Sequence, residues 1–189
     1  MKKFFAVLFL AVALIAPAFA SDDSSLELIP KIGYLFSPEI TTDGHSFSKD
    51  SGIQIGAELF FDMQNNFFLG AGLVWGQNTK FWDADEKVGF TNVYAAAKYK
   101  FEVNDSNFFI YPLLHLGVGM PGWEYSGFIR DYEITGGFYW GLGAGCEFNN
   151  IILEFIYGCN YGTFKGSNIK NSDFSYTAFR INVGYKFAL

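Results

Sequence analysis

Beyond its first residues, this 189-residue chain has no apolar run long enough to cross a bilayer as a helix. The best stretch, Phe108–Met120, falls short of the roughly 20 residues such a helix needs and contains Pro112 and His115. Charge is scarce as well, at 17% of residues, with 13 basic against 19 acidic side chains. That balance lacks the basic footprint that nucleic acid demands, so no nucleic-acid partner is expected. Histidine and cysteine occur twice each. His45, His115, Cys146 and Cys159 are not spaced as metal ligands, and no metal is expected. Gly141-Leu-Gly-Ala-Gly145 is not G-x-G-x-x-G and opens no helical pattern, so no nucleotide cofactor is expected either.

What is present begins with an export signal. Lys2 and Lys3 precede an apolar stretch from Phe4 to Ala16, Pro17 breaks it, and Ala18-Phe19-Ala20 is a small-x-small cleavage site. Residues 1–20 read as a signal peptide removed after Ala20, and residues 21–189 as one domain. The chain therefore meets an oxidising compartment, where cysteines pair if they can reach. With Phe148 opposite Ile151 across the Asn149-Asn150 turn, Cys146 faces Leu153. Cys159 then lies about 20 Å further along, too far for a disulfide. Both are read as small apolar residues facing lipid.

Period two organises the rest. Alternation over Leu26–Ser37, Gly52–Asp62, Phe67–Asn78, Asn92–Val103, Phe108–Gly119, Gly137–Phe148, Ile151–Tyr161 and Phe174–Leu189 predicts eight strands. Pro112 removes one ladder donor and predicts a bulge. Long connections (Pro38–Ser51, Thr79–Thr91, Met120–Gly136, Gly162–Asp173) alternate with short, Asn-rich ones (Met63–Asn66, Asn104–Asn107, Asn149–Asn150). Strict alternation of long and short links fits an up-and-down barrel in an outer membrane, with short turns periplasmic and long loops outside.

The two faces of each strand decide which side meets lipid. One face carries large apolar residues and almost no charge. The other collects glycines, including Gly70, Gly72, Gly117, Gly141, Gly143 and Gly145, which suit a cramped eight-stranded lumen better than a wet surface. It also carries Glu27, Glu58, Glu102, Glu147 and Glu154 against Lys31, Lys98, Lys100, Arg180 and Lys186. These balance, as buried charges require. Register sets Glu154 beside Arg180 or Asn182, and Lys31 near Glu58. Aromatics at the strand ends suggest interface belts: Tyr34, Phe36, Trp75, Phe138, Trp140, Tyr157, Tyr161, Phe174 and Tyr176 at the loop end, and Phe61, Phe67, Phe101, Phe108, Phe148, Tyr185 and Phe187 at the turn end.

Two segments carry a resemblance. Gly137-Phe-Tyr-Trp-Gly-Leu-Gly-Ala-Gly-Cys-Glu-Phe148, with Asn149-Asn150 and Ile151-Ile-Leu-Glu-Phe-Ile-Tyr157, is similar to the strand-turn-strand pattern of the small eight-stranded outer-membrane barrels. That group includes the OmpX-like and opacity-type proteins and the membrane domain of OmpA. Arg180-Ile-Asn-Val-Gly-Tyr-Lys-Phe187 resembles the group's C-terminal strand, although Ala188 and Leu189 follow the usual terminal aromatic. The resemblance implies an all-β, eight-stranded antiparallel barrel in the bacterial outer membrane. It also implies contact with lipid and lipopolysaccharide, and passage through periplasmic chaperones and the barrel-assembly machinery. It does not choose among the group's roles.

No catalytic constellation stands out. His115 faces inward with no serine or cysteine nearby on its strand face, and His45 sits in the polar loop Asp43-Gly-His-Ser-Phe-Ser48. A lipid A-modifying enzyme would need a rigid Ser-His-acid set at the outer rim. A narrow pore is the other alternative, although eight strands leave a lumen only wide enough for side chains. The expected role is structural or adhesive, as a monomer, through four outer loops. Phe81, Trp82, Trp123, Tyr125, Phe128 and Ile129 are the candidate contact residues for a host surface, lipopolysaccharide or an envelope protein.

Overall fold

The computed structural model describes residues 26–48, 50–76, 79–81, 86–104, 106–124, 132–166 and 171–189. The expected export signal, residues 1–20, lies outside them. Eight long strands form the wall: β1 (Leu26–Thr42), β2 (Gly52–Asp62), β3 (Phe67–Gly76), β4 (Glu86–Tyr99), β5 (Phe108–Glu124), β6 (Tyr132–Phe148), β7 (Ile151–Gly166) and β8 (Ser172–Tyr185). Each pairs antiparallel with its sequence neighbours, and β1 pairs with β8, setting Ile32 opposite Val183. The sheet is therefore closed and has no free long edge. In lipid that closure is required, because an open edge would leave backbone donors and acceptors unsatisfied. Phe101–Glu102 and Phe187–Ala188 extend β4 and β8 at the short-turn end. His45–Ser48 folds back on β1, and Thr79–Phe81 pairs with the start of β4.

The short turns work because asparagine tolerates left-handed backbone. Asn65, Asn66, Asn104 and Asn149 have φ of 54°, 63°, 56° and 53°. Ile151 stands opposite Phe148 and Leu153 opposite Cys146, as the turn spacing predicts. Cys146 and Cys159 are both free thiols. Cys159 is nevertheless buried, not open to lipid, lying between its cross-strand partners Trp140 and Thr177.

Pro112 causes no bulge, contrary to expectation. The β5–β6 ladder runs through Pro112 opposite Ala144 without a shift. The disturbance falls on the other neighbour, where β4 stops at Tyr99 and resumes at Phe101 in unchanged register. A proline lacks the N–H that would bond there. Register shifts occur elsewhere, between Phe36 and Glu39 on β1 and between Asn160 and Gly162 on β7.

Several strands run further toward the long-loop end than periodicity predicts. β1 continues to Thr42, β4 starts at Glu86, β5 reaches Glu124, β6 starts at Tyr132 and β7 ends at Gly166. Apolar alternation marks only the lipid-contacting part of a strand, whereas the ladder continues past it into water.

Burial is inverted relative to a soluble barrel. Ile32, Leu142, Phe148 and Ile151 are 57–59% exposed, while Glu58, Glu147 and Glu154 are at most 1% exposed. The lumen is filled in two tiers. Ile29, Phe60, Phe68, Tyr94, Tyr111, Leu113, Tyr139, Ile152 and Ile156 pack among the charges in the lower and middle tube. Leu35, Ile40, Phe90, Phe174, Tyr176 and Ala178, with Phe164 against them, form an apolar cap toward the long-loop end. Phe174 and Tyr176 thus leave the expected outer belt. They share the parity of Arg180 and Asn182 on β8, and that parity points inward.

Glycine makes this packing possible. A methyl at Gly117 would collide with the Val93 carbonyl oxygen, and one at Gly72 with the Tyr94 ring and the Glu58 stem. Neighbouring strands donate bulk where these positions give up theirs.

Candidate functional site

The lumen charges come from β1, β2, β4, β6, β7 and β8, and alternation alone turns them inward. Near the short-turn end, Glu27 of β1 is the hub. Its carboxylate accepts from Lys98 Nζ at 2.8 Å and Lys100 Nζ at 2.6 Å. Lys100 also lies 2.8 Å from Glu147 of β6, and Lys186 donates to the same carboxylate. Lys98 stands 4.0 Å over the Phe60 ring, an added cation–π contact.

Halfway up, Lys31 Nζ lies 2.6 Å from both Glu58 and Glu154. Glu58 also accepts from the Tyr94 hydroxyl at 2.7 Å, with His115 Nε2 3.2 Å away. Glu154 accepts from the Tyr111 hydroxyl at 3.3 Å and from Asn182 Nδ2 at 3.5 Å. His115 stacks on Tyr94, with ring centroids 4.1 Å apart. These groups are nearly all fully buried, so each carboxylate depends on its cations to remain charged out of water.

Above them the chemistry changes. Gln54 donates to Asn182, and Arg180 Nη1 donates to the Tyr139 hydroxyl at 2.8 Å with its guanidinium 5.3 Å over that ring. Arg180 faces Leu35 and Ile156 across its two ladders, whereas Asn182 faces Glu154. The expected Glu154–Arg180 ion pair is therefore absent, and Lys31, reaching across the lumen, is the partner of Glu154.

The structure brings together Lys31, Glu58, Lys98, Lys100, Glu147, Glu154 and Lys186, and buries Arg180 above them. Glu102 stays apart. It has inward parity, but it lies opposite Phe109 beyond the last filled layer and is exposed at the lip. Parity places it on the right face and height removes it from the network. Tyr94 and Tyr139 were not singled out from sequence, although the parity of Lys98 and of Gly141 would have turned both inward.

At the long-loop end, Ser172 donates to Asp43 at 2.7 Å, and Thr163 donates to Asp173 at 2.8 Å. Thr41 and Ser46 hydroxyls lie 2.8 Å apart. These bonds tie the raised ends of β1, β7 and β8 to one another. Among the candidate contact residues, Trp82, Tyr125, Phe128 and Ile129 lie outside the described residues. For Phe81 and Trp123 only the backbone is described, paired with Glu86 and Val88.

The outer membrane protein beta-barrel domain family matches the chain over residues 5–187. Among solved structures, Ail, the attachment invasion locus protein of Yersinia pestis, superposes with a TM-score of 0.52 at 16% identity, covering 85% of this chain and 98% of that one. Neisserial surface protein A gives 0.49 at 15% identity, covering 84% and 96%. The N-terminal β-barrel domain of Pseudomonas aeruginosa OprF gives 0.41 at 13%, covering 86% and 97%. No curated protein matches the chain.

Proposed function

We propose, for a chain that belongs to the outer membrane protein beta-barrel family and resides in the bacterial outer membrane, a role in surface interaction carried by its outer loops. The observation that carries this reading is the raised rim. β4 with β5, β6 with β7, and β1 with β8 extend as paired ribbon beyond the apolar belt, and side-chain hydrogen bonds brace β1, β7 and β8 there. A stiff rim pre-organises the loops it bears, and pre-organisation lowers the entropic cost of contact.

The lumen below supports a barrel that conducts nothing. Tyr111, Tyr139, Phe60 and Lys98 are fully buried across its section. On this reading the chain is also not an enzyme. His115 is held between Tyr94 and Glu58, an environment suited to packing. His45 lies exposed on the short hairpin. Export uses the signal over residues 1–20. Assembly uses periplasmic chaperones and the barrel-assembly machinery, which reads the strand ending at Phe187. The mature barrel is a monomer in lipid and lipopolysaccharide.

The test expresses the full chain in a non-adherent bacterium and counts cells retained on epithelial monolayers. Retention should rise, and should fall back when residues 82–85 and 125–131 are replaced by short Gly-Ser links, with heat-modifiable migration of the barrel unchanged. Equal retention by the trimmed protein overturns the adhesive role. Steady conductance in planar bilayers would favour the pore, and fatty acid released from lipopolysaccharide would favour the enzyme.

A further inference from the structure

With Glu102 at the lip, the lumen charges of the described residues no longer balance: Lys31, Lys98, Lys100, Lys186 and Arg180 face Glu27, Glu58, Glu147 and Glu154, which leaves one cation in excess among them. The excess has an address. Each lysine has a carboxylate within ion-pair distance, whereas Arg180 has none among the described residues. Arg180 is 3% exposed, it donates to the neutral Tyr139 hydroxyl, and its Nε has no hydrogen-bond partner. A guanidinium has five donors and does not deprotonate in proteins, so it cannot escape burial by neutralising itself. A buried charge needs a counter-charge.

The surroundings fit a small anion. Arg180 lines a cavity of about 10 Å³ with Gln54, Asn92, Phe90, Leu35 and Tyr176, space for about one water-sized occupant. Asn92, which lines the cavity, has an Oδ1 without a hydrogen-bond partner; Asn160, outside the lining, meets it beside Gly119 and lacks partners at both side-chain polar atoms. A carboxamide turned by half a rotation offers its N–H₂ in place of its oxygen. Leu35, Phe90 and Tyr176 of the apolar cap line the site, and apolar surroundings strengthen an ionic contact. We propose that the cavity binds one halide-sized monovalent anion, chloride in a natural medium, held by the Arg180 guanidinium under the cap. Water satisfies donors, but it does not cancel charge.

The test uses the full mature chain refolded in detergent. Unfolding by urea is followed in sodium chloride and in sodium gluconate at one ionic strength. Above the dissociation constant, each tenfold rise in chloride should raise the folded-to-unfolded ratio about tenfold, as one-site linkage requires. Gluconate should not. Arg180→Gln should abolish the difference between the salts. If that variant does not fold, crystals of the wild-type chain soaked in bromide give an independent reading. An anomalous peak within hydrogen-bond distance of the guanidinium supports the site. Equal stability in both salts, a chloride effect that survives in Arg180→Gln, or no bromide at Arg180 overturns it.

Discussion

Near the short-turn end the lumen holds Glu27, Glu147, Lys98, Lys100 and Lys186 in mutual contact, while near the long-loop end it holds Leu35, Ile40, Phe90, Phe174 and Tyr176. Both sets arise from the same inward parity. They differ in what happens when one member is lost. In the charged tier each group carries others, so one deletion strands buried ions. In the apolar cap a deletion loses area and opens a void, a graded cost. Arg180 lies between the tiers, engaged with Tyr139 from one side only.

The sharpest way to break this comparison is Lys31→Met. It removes the cation shared by Glu58 and Glu154 and leaves two buried carboxylates without their ion pair. A loss of about 3–5 kcal/mol is expected, the usual cost of breaking a buried pair. Urea titration of the refolded barrel measures it, and a midpoint near wild type would mean that these acids are solvated. A double-mutant cycle refines the result. Glu154→Ala should couple strongly to Lys31→Met and be additive with Arg180→Ala, because Arg180 touches Tyr139 instead.

Tyr139→Phe probes the boundary between tiers. It removes the hydroxyl that accepts from Arg180, and about 1.5–3 kcal/mol is expected for a bond to a charged group. Gly117→Ala probes the wall, where the added methyl meets the Val93 carbonyl and the backbone of Tyr94. Overpacking of that kind costs about 1–3 kcal/mol. Gly184→Ala is the milder control, since its nearest contacts, Ile29 Cγ2 at 3.0 Å, the Pro30 carbonyl oxygen at 3.1 Å and Lys31 Cβ at 3.4 Å, are all longer than the 2.1 Å approach to the Val93 carbonyl at Gly117. If the two alanines behave alike, crowding is not what reserves Gly117.

Alternation made the fold legible, because a closed antiparallel wall converts residue parity directly into inside and outside. The strand count, the Asn turns and the Leu153–Cys146 register all follow from it. Pairing across the lumen does not. Lys31 and Glu154 are 123 residues apart and belong to strands that share no ladder, so no local spacing links them. For Phe174 and Tyr176 aromatic character suggests a belt, whereas β8 parity points both inward. Strand ends beyond the membrane were missed because water removes the apolar signal while backbone pairing persists.

Glu102 gives the smallest expected effect and the cleanest separation of parity from height. It shares inward parity with Lys98 and Lys100, yet it is exposed at the lip, while Glu147 on the neighbouring ladder is fully buried between Lys100 and Lys186. Glu102→Ala should therefore leave the urea midpoint at the wild-type value. Glu147→Ala should lower it clearly, because Lys186 loses its nearest acid and Lys100 keeps only Glu27. Equal losses in the two variants would mean that the charged tier extends to the lip. The charges of the described lumen residues would then balance, five against five, with Arg180 still lacking a carboxylate within ion-pair distance.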